Sequence, residues 1–288
     1  MNGKRSLSME ERVERLNKQL LERDANFTIR FTTVWKNNSE YEGYILESKT
    51  HNCAPTIYKN EWFFKSDMEV IDFLQEFYDD YARDIDVKSV TDREYILNHI
   101  LPRLVSYNNK ERIEKNHIAY VGFLDMLVLF YVPIEEFSED VLCSLQVTET
   151  MLKQNKISLT ESCLYAVENL EKQVDIKPMG EMLFELCEQD VEMEDYPMYV
   201  ATNKTRCQGA AVLLCSSVLK ILEEKMGGKV VVLPSSIHEI IAFPFDGSLS
   251  FEALHNLVKE VNTSSVTEEE RLTDSVYIIE DGELKMAI

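Results

Sequence analysis

The stretch from Tyr199 to Phe245 constrains the fold of this chain more than any other stretch. It consists of a short apolar strand, a polar loop, a long apolar segment from Gln208 to Met226, and two further apolar segments. The long segment contains good helix formers and no proline, and its apolar residues lie almost all round, which indicates a helix buried on most sides. Gly209 is small, so we expect the first turn of this helix to approach another backbone closely.

A Gly-Gly pair predicts where this helix ends. Only glycine enters the left-handed region without penalty, so Gly227–Gly228 is expected to stop the helix. Val230–Leu233 then forms a continuous apolar run, which is typical of a strand covered on both faces. The sequence Pro-Ser-Ser at 234–236 interrupts this run, and residues 237–243 form a second apolar segment. The short interruption predicts a β-hairpin.

The first 90 residues predict a smaller unit of helices and strands. Phe27, Ile29 and Phe31 alternate with polar residues, as in a half-buried strand. A turn at residues 36–39 would return the chain as a second strand. Ser66-Asp67-Met68-Glu69 is a capping box, and it predicts a helix that extends to about Ala82.

Residues 91–288 predict a larger portion in which helices pack on a sheet. The apolar run 121–132 reads as a central strand with one carboxylate, Asp125, inside it. Residues 251–261 predict an amphipathic helix, and residues 274–288 predict two closing strands. The predicted fold class is therefore α+β, with a mixed, largely antiparallel sheet and a smaller N-terminal portion. Residues 1–90 and 91–288 form two portions, or one continuous domain.

The charge of the chain excludes some classes of partner. The chain has 288 residues, with 30 Lys and Arg against 51 Asp and Glu, so its formal net charge is −21. Such a chain does not attract nucleic acid phosphate or an anionic membrane by bulk charge. Solvation of the surface is the simplest role for this charge, and mimicry of a nucleic acid backbone is another. The expected partner is a protein.

The cysteines and the N-terminus predict a cytoplasmic protein. No two cysteines form a Cys-x-x-Cys pair, and several lie in apolar helical runs, as expected of reduced thiols in the cytoplasm. The N-terminal residues contain no apolar segment typical of a signal peptide. No uninterrupted apolar run approaches the length of a membrane span.

The strongest enzymatic hypothesis combines Cys207, His238 and Asp125. Cys207 lies at the start of the predicted helix beside Arg206, and both features lower the pKa of a thiol. His238 follows the partner strand and could act as the base of a hydrolase or transferase. The alternative is structural: Cys207 fills space, His238 ends a strand, and Asp125 is a polar group satisfied at a strand end.

A second hypothesis places an anion or nucleotide at the loop 202–209. Thr202, Asn203, Lys204 and Arg206 precede the predicted helix, where free N–H groups and two cations could hold a phosphate or carboxylate. The ligand-binding candidates also include Ser235 and Ser236. The loop has neither the P-loop pattern nor the dinucleotide-binding glycine pattern, and capping of the helix by Asn203 or Thr205 is the structural alternative.

No metal or cofactor is predicted. His238-Glu239 lacks the second histidine of a zinc protease motif, and the other histidines show no ligand spacing. The acidic residues of 188–195 lack the glycine and oxygen spacing of a calcium loop.

Several stretches together carry a family resemblance. They are residues 54–58, the helix to Tyr81, Asp125, and residues 198–203, 209–211, 233–239 and 272–277. From about residue 25 to the end, the chain resembles an uncharacterised family, a domain of unknown function common in gut Clostridia and related Firmicutes. The resemblance implies a bacterial cytoplasmic protein, often in accessory or mobile gene content, and it implies no chemistry. The leading hypothesis is based on the acidic charge and the lack of an assembled catalytic motif: a non-enzymatic acidic module that binds another protein.

Overall fold

The computed structural model describes residues 9–58, 66–138, 141–187, 197–234 and 236–288. The chain divides into two compact units, Met1–Val87 and Lys88–Ile288. This division lies close to the boundary that the sequence places at residue 90.

The first unit packs two helices on a three-stranded antiparallel sheet. Its elements are α1 (Met9–Glu22), β1 (Phe27–Lys36), β2 (Ser39–Ser48), β3 (Thr56–Tyr58) and α2 (Asp67–Tyr81). The strand order is β1-β2-β3. Both hydrogen bonds of the predicted capping box are present, since the Ser66 side chain accepts from the Glu69 amide and the Glu69 side chain accepts from the Ser66 amide. Leu16, Phe27 and Leu74 lie in the core of this unit.

The second unit has an α+β architecture. Its helices are α3 (Val87–Val90), α4 (Arg93–His99), α5 (Lys110–Lys115), α6 (Glu149–Gln154), α7 (Leu159–Glu171), α8 (Met179–Cys187), α9 (Ser216–Met226) and α10 (Phe251–Ser264). Its strands are β4 (Leu101–Ser106), β5 (Tyr120–Phe123), β6 (Met126–Ser138), β7 (Val141–Gln146), β8 (Val174–Pro178), β9 (Tyr199–Asn203), β10 (Val230–Leu233), β11 (Ile240–Pro244), β12 (Tyr277–Glu280) and β13 (Glu283–Met286).

The strands of the second unit form two sheets rather than the single sheet that the sequence predicted. One sheet has the order β13-β12-β10-β11-β9-β8, and the other contains β4, β5, β6 and β7, with β6 paired to each of the others. Every pairing among the described strands is antiparallel. The α+β class and the predicted β10–β11 hairpin are confirmed. A large apolar core contains residues of both sheets.

The predicted strand 121–132 is wrong, because the chain reverses in its middle. Leu124 and Asp125 form the turn between β5 and β6, with Phe123 paired to Met126. Leu124 has a φ of 54°, in the left-handed region that two-residue hairpin turns require. Glycine and asparagine are the usual residues at this position, so the apolar Leu124 gives no turn signal in the sequence. Asp125 therefore lies at the tip of a hairpin.

The predicted helix 208–226 is also interrupted. Residues Gly209–Leu214 form a 3₁₀ helix, Cys215 is extended, and α9 begins at Ser216. The Ala210 amide donates to the carbonyl of Ile237 at 3.1 Å, so the first turn bonds to a neighbouring segment. The helix does end where predicted, with Gly227 at a φ of 70°.

The close approach expected at Gly209 is confirmed. A Cβ atom on Gly209 would lie 2.1 Å from Thr202 Oγ1, 2.4 Å from the carbonyl oxygen of His238 and 2.8 Å from the amide nitrogen of Asn203. Two of these three atoms belong to the backbone, which cannot rotate away as a flexible side chain can. Only glycine therefore fits at this crossing of three segments.

We expect Gly209→Ala to lower the free energy of unfolding by about 3 kcal/mol or more, because overpacking against fixed backbone forces these segments apart. Chemical denaturation measures this change. The matched control is Gly122→Ala in β5, where an added Cβ meets nothing within 4 Å. The control should change stability by less than about 0.5 kcal/mol, and equal effects of the two substitutions would contradict the close approach.

Candidate functional site

The side chain of Asn203 organises the loop between β9 and the 3₁₀ helix, which we call the β9 loop (residues 203–209). Its Oδ1 accepts hydrogen bonds from Thr205 Oγ1 at 3.1 Å and from the Cys207 amide at 3.2 Å. Its Nδ2 donates to the carbonyl of Cys207 at 2.8 Å. Asn203 is only 1% exposed, so its side-chain amide makes these hydrogen bonds to the loop from the protein interior.

Two further contacts tie the β9 loop to the segment that precedes β11. Thr202 Oγ1 donates to the carbonyl of His238 at 2.7 Å, and the Gln208 amide donates to His238 Nδ1 at 3.3 Å. Ser236 Oγ accepts from the His238 amide at 3.0 Å and donates to Glu239 at 2.8 Å. These polar groups of Thr202, Ser236 and His238 thus bond within the protein.

The two cations of the predicted anion site point to other partners or to solvent. Lys204 is exposed. Arg206 forms an ion pair with Glu185, which also pairs with Lys177. The hydrogen bond from Lys177 lowers the pKa of Glu185 below its usual value. Ser235, the remaining candidate, lies outside the described residues. The element that follows this loop is a 3₁₀ helix of six residues rather than a long α-helix. The anion hypothesis for the loop stays a prediction.

The surroundings of Cys207 favour the neutral thiol. Burial raises the pKa of Cys207, and the nearby guanidinium of Arg103 opposes this only in part. His238 Nε2 lies 3.7 Å from Glu270 Oε1, and its Nδ1 accepts from the Gln208 amide. No hydrogen bond or ion pair joins Cys207 to His238 in the described part of the chain.

Asp125 joins the β5–β6 turn to the segment that leads into β12. Its Oδ2 accepts hydrogen bonds from Thr273 Oγ1 at 2.6 Å and Ser275 Oγ at 2.9 Å, and its Oδ1 accepts from the Tyr277 hydroxyl. Burial, and then the hydrogen bond to Asp125, raises the pKa of Tyr277. Three hydroxyl donors occupy this carboxylate, and it contacts neither Cys207 nor His238 in the described residues. The catalytic hypothesis stays a prediction without a supporting contact.

An apolar groove lies between α10 and one face of the β10–β11 hairpin, and we call it the α10 groove. Its volume is about 430 Å³. Leu233, Ile241 and Phe243 line it from the hairpin, and Leu254, Leu257 and Val261 line it from α10. Leu257 is 47% exposed, Val261 39%, and Leu249 at the groove rim 49%. The described chain thus leaves three large apolar side chains of this groove exposed to water.

The few polar side chains of the α10 groove are already paired. Asn262 Nδ2 donates to the carbonyl of Thr273 at 3.0 Å and to Asp274 Oδ1 at 2.8 Å. Asp246 Oδ1 accepts from the Ser248 amide at 2.8 Å, and hydrogen bonds from Ser248 lower the pKa of Asp246. Asp246 therefore stays charged near neutral pH. The groove presents apolar surface with one carboxylate at its side.

The sequence shows the apolar face of α10 that forms one wall of this groove. The apolar residues of α10 cover an arc of about 120° at 100° per residue, which is the usual width for an amphipathic helix packed on a core. Leu254 and Val258 lie on one side of this arc and are buried against the sheet. Leu257 and Val261 lie on its other side and remain exposed. The sequence therefore predicts the apolar face of α10, and the structure shows which half of that face stays exposed.

Three further findings limit the kind of site. Among the described residues, no cluster of three or more His, Cys, Asp or Glu could hold a metal ion. None of the described helices combines the length and hydropathy required to cross a bilayer. Cys53, Cys143, Cys163, Cys207 and Cys215 are free thiols.

The fold is that of an antiparallel α+β protein with a partly exposed apolar groove. The model of a family of unknown function, DUF5688, matches residues 8–280. The chain belongs to this family, which confirms the resemblance to an uncharacterised family. No curated protein and no solved structure matches the chain.

We expect Asp125→Ala to lower the free energy of unfolding by about 2–4 kcal/mol, because three buried or half-buried hydroxyls lose a charged acceptor. Thermal and chemical denaturation measure the loss. The control, Glu260→Gln, removes one negative charge from an exposed position of α10. A loss no larger than that of the control would show that Asp125 does not hold these segments together.

The raised pKa of Cys207 makes its alkylation slow at neutral pH, because the thiolate is the nucleophile. We expect Cys207 to react with iodoacetamide more slowly than free glutathione at pH 7, with a midpoint at higher pH than that of glutathione. Peptide mass spectrometry separates Cys207 from the other cysteines. A midpoint below that of glutathione would instead support a catalytic thiol.

Proposed function

We propose that this protein is a non-catalytic module that binds an apolar helical segment of a partner protein in the α10 groove. The observation that supports this proposal is the set of exposed side chains Leu249, Leu257 and Val261 around an apolar groove. These apolar side chains line one concave groove rather than lying scattered singly over the surface, which supports a binding role. Grooves of this kind accept the apolar face of an amphipathic helix.

The polar lining favours a protein segment over a small polar ligand. Small-molecule sites combine apolar walls with a few unpaired polar groups that fix the orientation of the ligand. In the α10 groove, Asn262 and Ser248 make hydrogen bonds within the protein. An apolar side chain needs no such groups, so leucine-like anchors of a partner suit this lining.

The charge of the chain favours a partner segment with basic flanks. The formal net charge is −21, and Asp246 lies in the groove lining. Complementary charge steers association and excludes acidic segments, while the apolar contacts supply most of the affinity. Full burial of a leucine or valine contributes about 1.5–3 kcal/mol. Since Leu257 and Val261 are already half-buried, each would add roughly half of this.

We place this module in the bacterial cytoplasm. The five described free thiols support a reducing compartment. The family resemblance supports a bacterial source.

A synthetic amphipathic peptide tests the proposal. The probe is a fluorescently labelled helix of about four turns with leucines at i, i+3, i+4 and i+7 and lysines elsewhere. We expect it to bind the full chain, and we expect Leu257→Asp with Val261→Asp to weaken binding by at least about tenfold. Fluorescence anisotropy at physiological ionic strength measures both affinities.

The matched control is Leu164→Asp on α7, which changes a leucine that is 60% exposed and does not line the groove. It should bind the peptide as the unmodified chain does. A peptide with glutamates in place of the lysines should bind more weakly. Equal binding by the groove variant and the control would show that the peptide recognises bulk charge, and the proposal would fail.

A further inference from the structure

Arg103, in the sheet formed by β4, β5, β6 and β7, has no acidic partner among the described residues. Arg103 belongs to β4 and pairs in register with Leu129 of β6, one pleat away from Tyr131 on the same face. Its Cζ lies 5.8 Å from the centre of the Tyr131 ring. Gln146 of β7 pairs with Tyr131 on the other side. We call the side chains of Arg103, Tyr131, Gln146 and Cys207 the Arg103 cluster.

The hydrogen bonds of Arg103 are incomplete. Its Nη2 donates to Gln146 Oε1, whereas its Nε is enclosed and has no hydrogen-bond partner. Gln146 is fixed in this orientation, because its Nε2 donates to the carbonyls of Phe130 at 2.8 Å and Val147 at 3.3 Å. No carboxylate of the described residues forms an ion pair with Arg103. A guanidinium has five N–H donors, and Gln146 is the acceptor that the described side chains provide.

The neighbours of Arg103 do not supply the missing negative charge. Burial raises the pKa of Tyr131 to about 12, and burial also raises the pKa of Cys207. Both groups are therefore neutral near pH 7. Burial lowers the pKa of Arg103, although an arginine stays charged even so. A largely buried cation without a counter-charge among the described residues is costly, whereas a bound anion would stabilise it.

We propose that the Arg103 cluster binds a small carboxylate, with the guanidinium of Arg103 as its cation and the Tyr131 hydroxyl as a further donor. One positive charge matches a monoanion, while a phosphate dianion would leave an excess negative charge partly enclosed. Arginine pairs well with carboxylates through parallel N–H donors. Arg103, Gln146 and Cys207 each remain partly exposed, so a small ligand can reach the cluster from the surface.

This site differs from the anion loop that the sequence suggested. There the cations were Lys204 and Arg206, of which Lys204 is exposed and Arg206 pairs with Glu185. Here the cation comes from a strand of the other sheet, and the β9 loop contributes only Cys207. The inference is also independent of the α10 groove.

Titration of the full chain with sodium acetate at about pH 8.5, where inorganic phosphate is the dianion, tests the proposal, with chloride replacing acetate at constant ionic strength. We expect acetate to raise the melting temperature and to slow iodoacetamide alkylation of Cys207, and phosphate to do neither. Arg103→Met should abolish both effects, and Tyr131→Phe should weaken acetate binding several-fold. Tyr131→Phe keeps the aromatic ring, so it remains informative if Arg103→Met does not fold.

The control is Arg206→Gln, which removes a cation next to Cys207 in sequence but outside the cluster. It should keep both effects of acetate. The proposal is overturned if acetate has no effect on the unmodified chain, or if Arg206→Gln loses the effects while Tyr131→Phe keeps them. Phosphate protection in place of acetate protection would overturn the carboxylate assignment.

Discussion

The crossing of three backbone segments at Gly209 is the constraint on which the organisation of the second unit depends. The end of β9, the segment before β11 and the start of the 3₁₀ helix meet where a single methyl group would not fit. The close approach brings the Ala210 amide to the carbonyl of Ile237, and the Gln208 amide to His238. Because backbone groups buried at such a crossing need partners, the surrounding side chains act as those partners.

This constraint decides how the polar residues of the central stretch are used. Asn203 and Thr202 are 1% and 2% exposed, and both bond to neighbouring backbone. Each such hydrogen bond contributes only about 1 kcal/mol, yet leaving the same groups unpaired would cost about 1–3 kcal/mol each. Among the residues that the sequence offered as ligands or catalysts, Thr202, Asn203, Ser236 and Asp125 therefore bond within the fold. The groups available for binding lie elsewhere: the apolar surface of the α10 groove and the N–H donors of Arg103.

Local signals predicted much of the fold. The capping box at Ser66, the glycine stop at Gly227 and the β10–β11 hairpin depend on residues close together in the chain, and the structure contains all three. The prediction of a continuous strand over 121–132 was wrong, because the apolar Leu124 occupies a turn position that favours glycine or asparagine. The 3₁₀ helix depends on contacts with a distant segment, so a helical pattern could not reveal it.

The sites were less predictable than the fold, since they depend on what the folded chain leaves unpaired. Nothing in the run around Arg103 indicates that its guanidinium faces Tyr131 and Gln146, because these contacts join three strands. The apolar face of α10 was visible in the sequence, but only the structure shows which half of that face packs on the sheet.

Hydrogen exchange of three amides tests the central role of the crossing most directly. The Cys207, Gln208 and Ala210 amides donate to Asn203 Oδ1, His238 Nδ1 and the carbonyl of Ile237. If the crossing organises the second unit, these amides exchange only through global unfolding, as slowly as the amides of the β10 core strand. Exchange of the three amides within minutes, while β10 stays protected, would show a locally open loop and contradict the account.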